Sequence, residues 1–317
     1  MLGISCAKGI LSIAETLCII IGAVLSLKYL IIFLFCRLGP FLRPRKNLLK
    51  RYGEGSWVLV TGGTAGLGKA FCFAFAARGF NVCLIARNPE KIKTVCHDIK
   101  EKHPNIEIKS VVADFTEYSN EKLYDNIMEQ IDSLDISVLV NNVGTATVKK
   151  FVDCTESEIT AMTLVNTLPA VMLTRKLINR LSKRLHKSAI INVASSAALA
   201  PVPYFVAYGM SKIFNKFFAL SLEREFRDRN IEMLCLMPFL VNTKLTTTVK
   251  QPKIKPETCV EGCLRDLGNS RVTYGSRIHN ILGWGFEVYA ALPKPIFDFC
   301  MKTFFEYLLV KPWVTNK

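Results

Sequence analysis

"WVLVTGGTAGLGKAF", residues 57–71, joins a strand signal to a helix signal through a run of glycines. Trp57–Thr61 is a short apolar run rich in β-favouring residues, and from Gly66 onward the chain reads as helix. Gly62, Gly66 and Gly68 give the spacing Gly-x-x-x-Gly-x-Gly. Glycine permits a tight strand-to-helix turn and lets a bound group come close to the backbone. A helix N-terminus at the same point favours negative charge, so a pyrophosphate is the group this turn suits. The alternation continues downstream. "NVCLIA" (81–86), "IEIKSVVA" (106–113), "ISVLVN" (136–141), "AIINVA" (189–194) and "IEMLCLMP" (231–238) read as strands. Residues 66–79, 89–102, 120–131, 156–184 and 208–229 read as helices.

Apolar strands alternating with helices predict βαβ units around a buried parallel sheet. Right-handed crossovers make that sheet doubly wound and Rossmann-like, a single α/β domain. The expected catalytic domain covers residues 57–245. Residues 246–317 are irregular and proline-rich and are expected to form a substrate loop and an amphipathic C-terminal segment. Within them, 281–310 is apolar but interrupted by Glu287, Lys294, Asp298, Lys302 and Glu306, which favours a lid or a membrane-surface helix over a second span.

Half of the 317 residues are apolar, but the excess is concentrated. "TLCIIIGAVLSLKYLIIFLFC", residues 16–36, carries only the charge of Lys28 and is long enough to cross a hydrocarbon core, so residues 1–36 read as a membrane anchor. A basic linker, 37–56, follows. Arg37, Arg43, Arg45, Lys46, Lys50 and Arg51 precede the first acid, Glu54, whereas Lys8 and Glu15 balance on the other side. That asymmetry places the catalytic domain in the cytosol and the basic run beside membrane lipid. The run lacks interleaved aromatics, so nucleic acid is not an expected partner. The net charge of +15 also suits an anionic substrate or cofactor. The eleven cysteines include no Cys-x-x-Cys pair, so neither a disulfide framework nor a metal site is expected. Cys72, Cys83 and Cys235 lie in apolar runs and read as small hydrophobes.

Candidate functional residues stand at the strand ends. Arg87 ends the second strand, where an arginine suits a ribose 2′-phosphate and therefore NADP(H). Asp114 ends the third, placed either for an adenine amino group or to cap the following turn. "NNVG", residues 141–144, ends the fourth, with Asn141 to tie neighbouring strands and Gly144 to let the backbone pass a cofactor. Ser195 follows the fifth. In "PYFVAYGMSK", residues 203–212, Tyr208 and Lys212 share one helical face, and the lysine is expected to make the phenol a usable acid.

These motifs, in this order over roughly residues 55–245, resemble the classical short-chain dehydrogenases/reductases. The anchor with "RGFNVCLIAR", "VLVNNVG" and "MPFLVNTKL" is similar to a membrane-bound branch of very-long-chain 3-oxoacyl-CoA reductases, 17-beta-hydroxysteroid dehydrogenases and nematode steroid-dehydrogenase-like proteins. The resemblance implies an oxidoreductase acting on CH–OH groups, in steroid biosynthesis or fatty-acid elongation, at the endoplasmic reticulum membrane. Hydride passes from NADPH to a hydrophobic ketone, with Tyr208 the proton donor, Ser195 bonded to the same oxygen, and Lys212 holding the nicotinamide ribose. Asn166 would order a water in the proton relay. Cofactor contacts would come from Gly62, Thr64, Gly66, Leu67, Gly68, Arg87, Asp114, Asn141, Gly144, Tyr208 and Lys212. Tyr204 matches no catalytic position and is expected beside the substrate. Steroid ketone and acyl-CoA both fit, a homodimer is open, and the alternative is an inactive NADP(H)-binding membrane scaffold.

Overall fold

A computed structural model describes residues 2–33, 45–247, 252–290 and 295. It divides into two units, Met1–Pro44 and Arg45–Lys317. In the first, helix α1 (Leu2–Ile32) contains Ile13–Ile32, twenty residues of mean hydropathy 2.0 with none buried. Twenty helical residues rise about 30 Å, the thickness of a hydrocarbon core, so this is a candidate membrane span. It begins three residues before the expected 16–36. Glu15 falls inside it without breaking the helix, and residues 34–36 lie outside the described residues.

The second unit opens with α2 (Leu48–Tyr52) and is built on seven strands: β1 (Trp57–Thr61), β2 (Asn81–Ala86), β3 (Ile108–Val112), β4 (Ile136–Asn141), β5 (Ser188–Val193), β6 (Ile231–Leu236) and β7 (Val272–Thr273). All neighbours are parallel in the order β3-β2-β1-β4-β5-β6-β7. The order reverses direction between β1 and β4, which makes their carboxyl ends the switch point where such sheets leave a crevice. The crossovers are α3 (Gly66–Ala76), α4 (Pro89–Lys102), α5 (Leu123–Ile131), α6 (Glu156–Ser182), α7 (Val206–Glu225) and α8 (Pro256–Asp266), and α9 (Arg277–Ala290) follows β7.

Strand side chains alternate between the faces, and both faces are covered. Val58 and Val60 meet Phe71, Phe75, Ile99 and Val260 on the side of α3, α4 and α8. Leu59 meets Ile127, Leu139, Leu173 and Leu177 on the side of α5 and α6. This double burial is why the strands read as nearly unbroken apolar runs. Cys72, Cys83 and Cys235 are buried in this packing. The α6 start is sharp because Thr155 and Glu158 form a reciprocal capping box.

Two expected boundaries are corrected. Residues 246–317 are not only loop: α8 covers one face of the sheet and β7 extends it. Pro256, which reads as a breaker, stands in the first turn of α8, where its missing N–H costs nothing. Two residues of β7 are too few to show a period. The described part of the linker expected at 37–56 is likewise built into the catalytic unit. Leu48 and Tyr52 are buried. Arg51 holds Glu232 through Nε, at 2.8 Å, and Nη2, and the Tyr52 hydroxyl donates to the same carboxylate at 2.7 Å. Lys46 donates to the Gly268 carbonyl. Of the 281–310 stretch, only 281–290 and residue 295 are described.

Burial pushes the Glu232 carboxyl up, but the bonds from Arg51 and Tyr52 outweigh it and hold the group below its ordinary range. A carboxylate with a lowered folded-state pKa contributes stability above its unfolded value and loses it as pH falls. Glu232→Gln should therefore cost about 3 kcal/mol in urea unfolding at neutral pH, by leaving Arg51 without its carboxylate. That deficit should shrink as pH is lowered through roughly 4.3. A pH-independent deficit would mean that packing, not the ion pair, holds the segment.

Candidate active site

The glycine-rich turn closes for separate reasons at each glycine. Gly62 and Gly66 have φ of +68° and +52°, the left-handed region that favours glycine. At Gly68 a Cβ would stand 2.1 Å from the Gly62 carbonyl oxygen, so no side chain fits. Ala65 precedes α3 and offers no side-chain cap, which leaves the first N–H groups of that helix without a side-chain acceptor. Such an end suits an anion. Thr64 and Leu67 are half-buried in the turn, and Leu67 packs on the core beneath.

Thr61 locks the switch point. Its hydroxyl donates to the Val140 carbonyl at 3.2 Å and accepts from the amides of Asn142 and Val143 at 2.9 and 3.0 Å. The Asn142 side chain donates back to the Thr61 carbonyl at 2.8 Å. Asn141 spans to the next strand and helix, donating to Asn192 Oδ1 at 2.8 Å and Thr174 Oγ1 at 3.1 Å. Arg87 is exposed just beyond β2. Asp114, beyond β3, accepts at one oxygen from both the amide and the hydroxyl of Thr116, at 2.9 and 2.8 Å. These two bonds cap the turn after β3.

Tyr208 and Lys212 occupy the first two turns of α7, and Ser195 stands two residues beyond β5. The Ser195 hydroxyl accepts from the Ala197 amide at 3.2 Å and lies beside the Tyr208 phenol, whose pKa it draws down. Lys212 is 5% exposed. Its ammonium donates to the Val193 carbonyl at 3.1 Å and lies 5.7 Å from the centre of the Tyr208 ring. A Cβ on Gly144 would come within 3.5 Å of that ammonium and 3.0 Å of Asn166 Oδ1. The "NNVG" turn, the end of β5 and α7 therefore converge on one buried cation.

The acid–base balance differs from expectation. Burial pushes the Tyr208 phenol up, against the opposing pull of the Ser195 bond, and burial pushes Lys212 down to about 8. Burial and Ser195 set the phenol's shift, while the Lys212 proton is aimed at the Val193 carbonyl and its charge sits over the ring, 5.7 Å from the centre. Asn166 ties three elements together. Its side chain clasps the Thr145 backbone in both directions, at 2.7 and 2.9 Å, and donates to Ser211 Oγ at 2.9 Å. Its carbonyl accepts from Asn215 at 2.9 Å. Asn166 is thus a clamp between α6, α7 and the loop after β4. Tyr204 has φ +67°, a strained conformation for a non-glycine residue, and its carbonyl accepts from the Lys149 amide at 3.2 Å.

Three further residues build the site without a sequence signal of their own. Thr61 is one letter in a strand, and Ser211 lies hidden between the tyrosine and the lysine. Thr243 stands 3.1 Å from where a Gly66 Cβ would be, in an irregular stretch with no period to place it.

A family model described as short chain dehydrogenase matches residues 56–254. The very-long-chain 3-oxoacyl-CoA reductase of Anas platyrhynchos is 34% identical over 79% of this chain and 80% of its own length. The very-long-chain 3-oxoacyl-CoA reductase let-767 of Caenorhabditis briggsae is 30% identical over 89% and 91%. Among solved structures, a 7beta-hydroxysteroid dehydrogenase superposes with a TM-score of 0.66 at 23% identity, covering 78% of this chain and all of its own. A short-chain dehydrogenase from Sphingobium yanoikuyae with NADPH gives 0.63 at 21%, covering 75% and 97%. A 3-ketoacyl-(acyl-carrier-protein) reductase from Brucella melitensis with NADH gives 0.58 at 25%, covering 65% and 87%. The family match begins one residue before β1 and takes in the glycine turn, Ser195, Tyr208 and Lys212; the chain is a member of the short-chain dehydrogenase family.

Proposed function

We propose that the chain is an NADPH-dependent ketoreductase acting on a long-chain 3-oxoacyl-CoA, with Tyr208 as its proton donor. The observation that carries this reading is the convergence of Ser195, Tyr208 and Lys212 beside the switch-point crevice. The residues around that crevice fit a nicotinamide dinucleotide: the turn excludes a Cβ at Gly68, and the adjoining helix end lacks a side-chain cap. The bound dinucleotide would supply the hydride. Gly62, Gly66 and Gly68 let the backbone approach its pyrophosphate, and Lys212, next to Gly144, is placed for the ribose hydroxyls. Arg87, exposed beyond β2, suits a 2′-phosphate.

Burial keeps the Tyr208 phenol protonated, which is the form reduction needs. Tyr208 releases its proton to the ketone oxygen as negative charge develops there, and Ser195 steadies the same oxygen by a hydrogen bond. Asn166 and Ser211 hold the register between α6 and α7 on which this alignment depends. The relatives' names support an acyl-CoA over a steroid ketone. The candidate span of α1 and the basic residues after it support residence at the endoplasmic reticulum with the catalytic unit in the cytosol.

The deciding experiment offers the purified protein NADPH with a long-chain 3-oxoacyl-CoA and, separately, a 17-oxosteroid. Turnover of the acyl-CoA is expected. Turnover of the steroid alone would reassign the substrate, and NADPH binding without turnover of either would revive the scaffold reading. Tyr208→Phe should lower kcat by roughly 10²- to 10⁴-fold, the usual worth of a positioned acid, with NADPH affinity unchanged. Wild-type rates in that variant would remove Tyr208 from the mechanism.

Arg87→Ala should raise the KM for NADPH by about tenfold, the equivalent of one lost charged contact, and leave that for NADH unaltered. Equal effects on both would deny Arg87 a role in choosing the cofactor. The pH profile tests Lys212. Its cationic form predominates below about 8, so kcat/KM should fall as pH rises through that value. Lys212→Arg, which stays charged, should move that limb to higher pH even where overall activity drops.

A further inference from the structure

Helix α9 has its apolar side turned outward. The face it packs inward carries His279, Gly283, Phe286 and Glu287, whereas Ile278, Ile281, Leu282, Trp284 and Val288 face out at 63, 63, 50, 36 and 50% exposure. The rotation of the helix is fixed by contact. A Cβ on Gly283 would lie 2.4 Å from the Tyr274 ring, so the helix rests flat on that ring. Glu287 accepts from the Tyr274 hydroxyl at 2.6 Å. The rings of Tyr274 and His279 lie 5.8 and 5.6 Å from that of Phe239, in the segment that leaves β6 at the site's edge of the sheet. Burial pushes His279 down to about 4, so it is accommodated neutral.

In water this arrangement is unfavourable on both sides, since aliphatic surface stays hydrated while a carboxylate is drawn inward. It becomes favourable where the outside is hydrocarbon. We propose that the outward face of α9 beds into the surface of the lipid bilayer, as a helix lying in the membrane plane. Several features of the helix favour lipid over a protein partner. Its only acid, Glu287, is turned to Tyr274, so the outward face presents no carboxylate to anionic headgroups. Trp284 stands at the margin of the apolar stripe, where an indole suits the headgroup boundary. The same chain carries the candidate span of α1, which brings it to a bilayer. The apolar stripe on α7 is different. Val206, Met210, Ile213, Phe214 and Phe217 lead into Arg224 and Glu225, a mixed-charge end better matched to protein. Because α9 packs on Phe239, in the segment leaving β6, the docked face would lie on the side of the sheet's carboxyl ends, where Ser195 and Tyr208 stand.

The inference rests on the membrane reading of α1, and the test separates the two. The full chain is reconstituted in vesicles of phosphatidylcholine and phosphatidylserine with a benzophenone amino acid at one position at a time. Position 21, in the span, and position 185, fully exposed between α6 and β5, are the references. After irradiation, lipid adducts are expected at 281 and 282, as at 21, and none at 185. Leu282→Glu should abolish the lipid adduct formed from position 278. Adducts to a second copy, or within the chain to residues 291–317, would overturn the proposal, as would unlabelled 281 and 282 beside a labelled 21. Loss of lipid adducts at 21 as well would overturn both readings.

Discussion

A lysine ammonium inside a protein is costly unless acceptors surround it, and much of this site is arranged around that requirement at Lys212. The charge is met by the Val193 carbonyl at the end of β5, and the space beside it exists because residue 144 is glycine. Asn166 then fixes the turn that contains Gly144 by pairing with both backbone groups of Thr145. From α6 it also reaches Ser211, one residue before the lysine, whose hydroxyl bonds back to the Tyr208 carbonyl. Each member bonds to or makes room for the next. Burial pushes the Lys212 ammonium down to about 8, because the Val193 carbonyl compensates only part of its desolvation. A bound ligand offering further oxygens to that ammonium would gain from a group already desolvated and oriented.

The direction of the Lys212 charge changes what the tyrosine–lysine spacing means. Two side chains one turn apart share a face, but sharing a face does not determine which way the charge points. Here the ammonium looks toward the strand end and the phenol toward Ser195, so desolvation dominates the phenol and keeps its proton on. The raised phenol and the lowered ammonium are two results of one burial: Tyr208 stays protonated, and Lys212 is the group whose charge varies near neutral pH.

The strand–glycine–helix run and the apolar strands were legible because double burial writes long apolar segments and because Gly68 has no alternative. The strand-end residues were legible for the same reason: in a parallel sheet every carboxyl end faces one edge, so position in sequence gives position in space. What stayed hidden has no period. The strand β7 is two residues long, α8 opens on a proline, and the bond from Arg51 and Tyr52 to Glu232 joins residues about 180 apart in the chain. Asn166 was singled out by its position, but its partners stayed hidden, since a sequence position does not say which neighbours a buried amide will find.

The apolar surfaces of α1 and α9 illustrate the same limit from the other direction. In α1 the apolar residues run round the whole helix, and composition alone suffices to suggest hydrocarbon on every side. In α9 the sequence "RIHNILGWGFEVYA" shows amphipathic spacing but not which face is turned in. An ordinary surface helix would bury its isoleucines and expose His279 and Glu287. The choice is reversed by a contact that periodicity cannot encode, namely the Tyr274 ring lying where a Gly283 side chain would be and offering its hydroxyl to Glu287. Once the tyrosine takes the polar residues, the aliphatic ones have nowhere to go but outward. The surface they form follows from one ring and one missing Cβ.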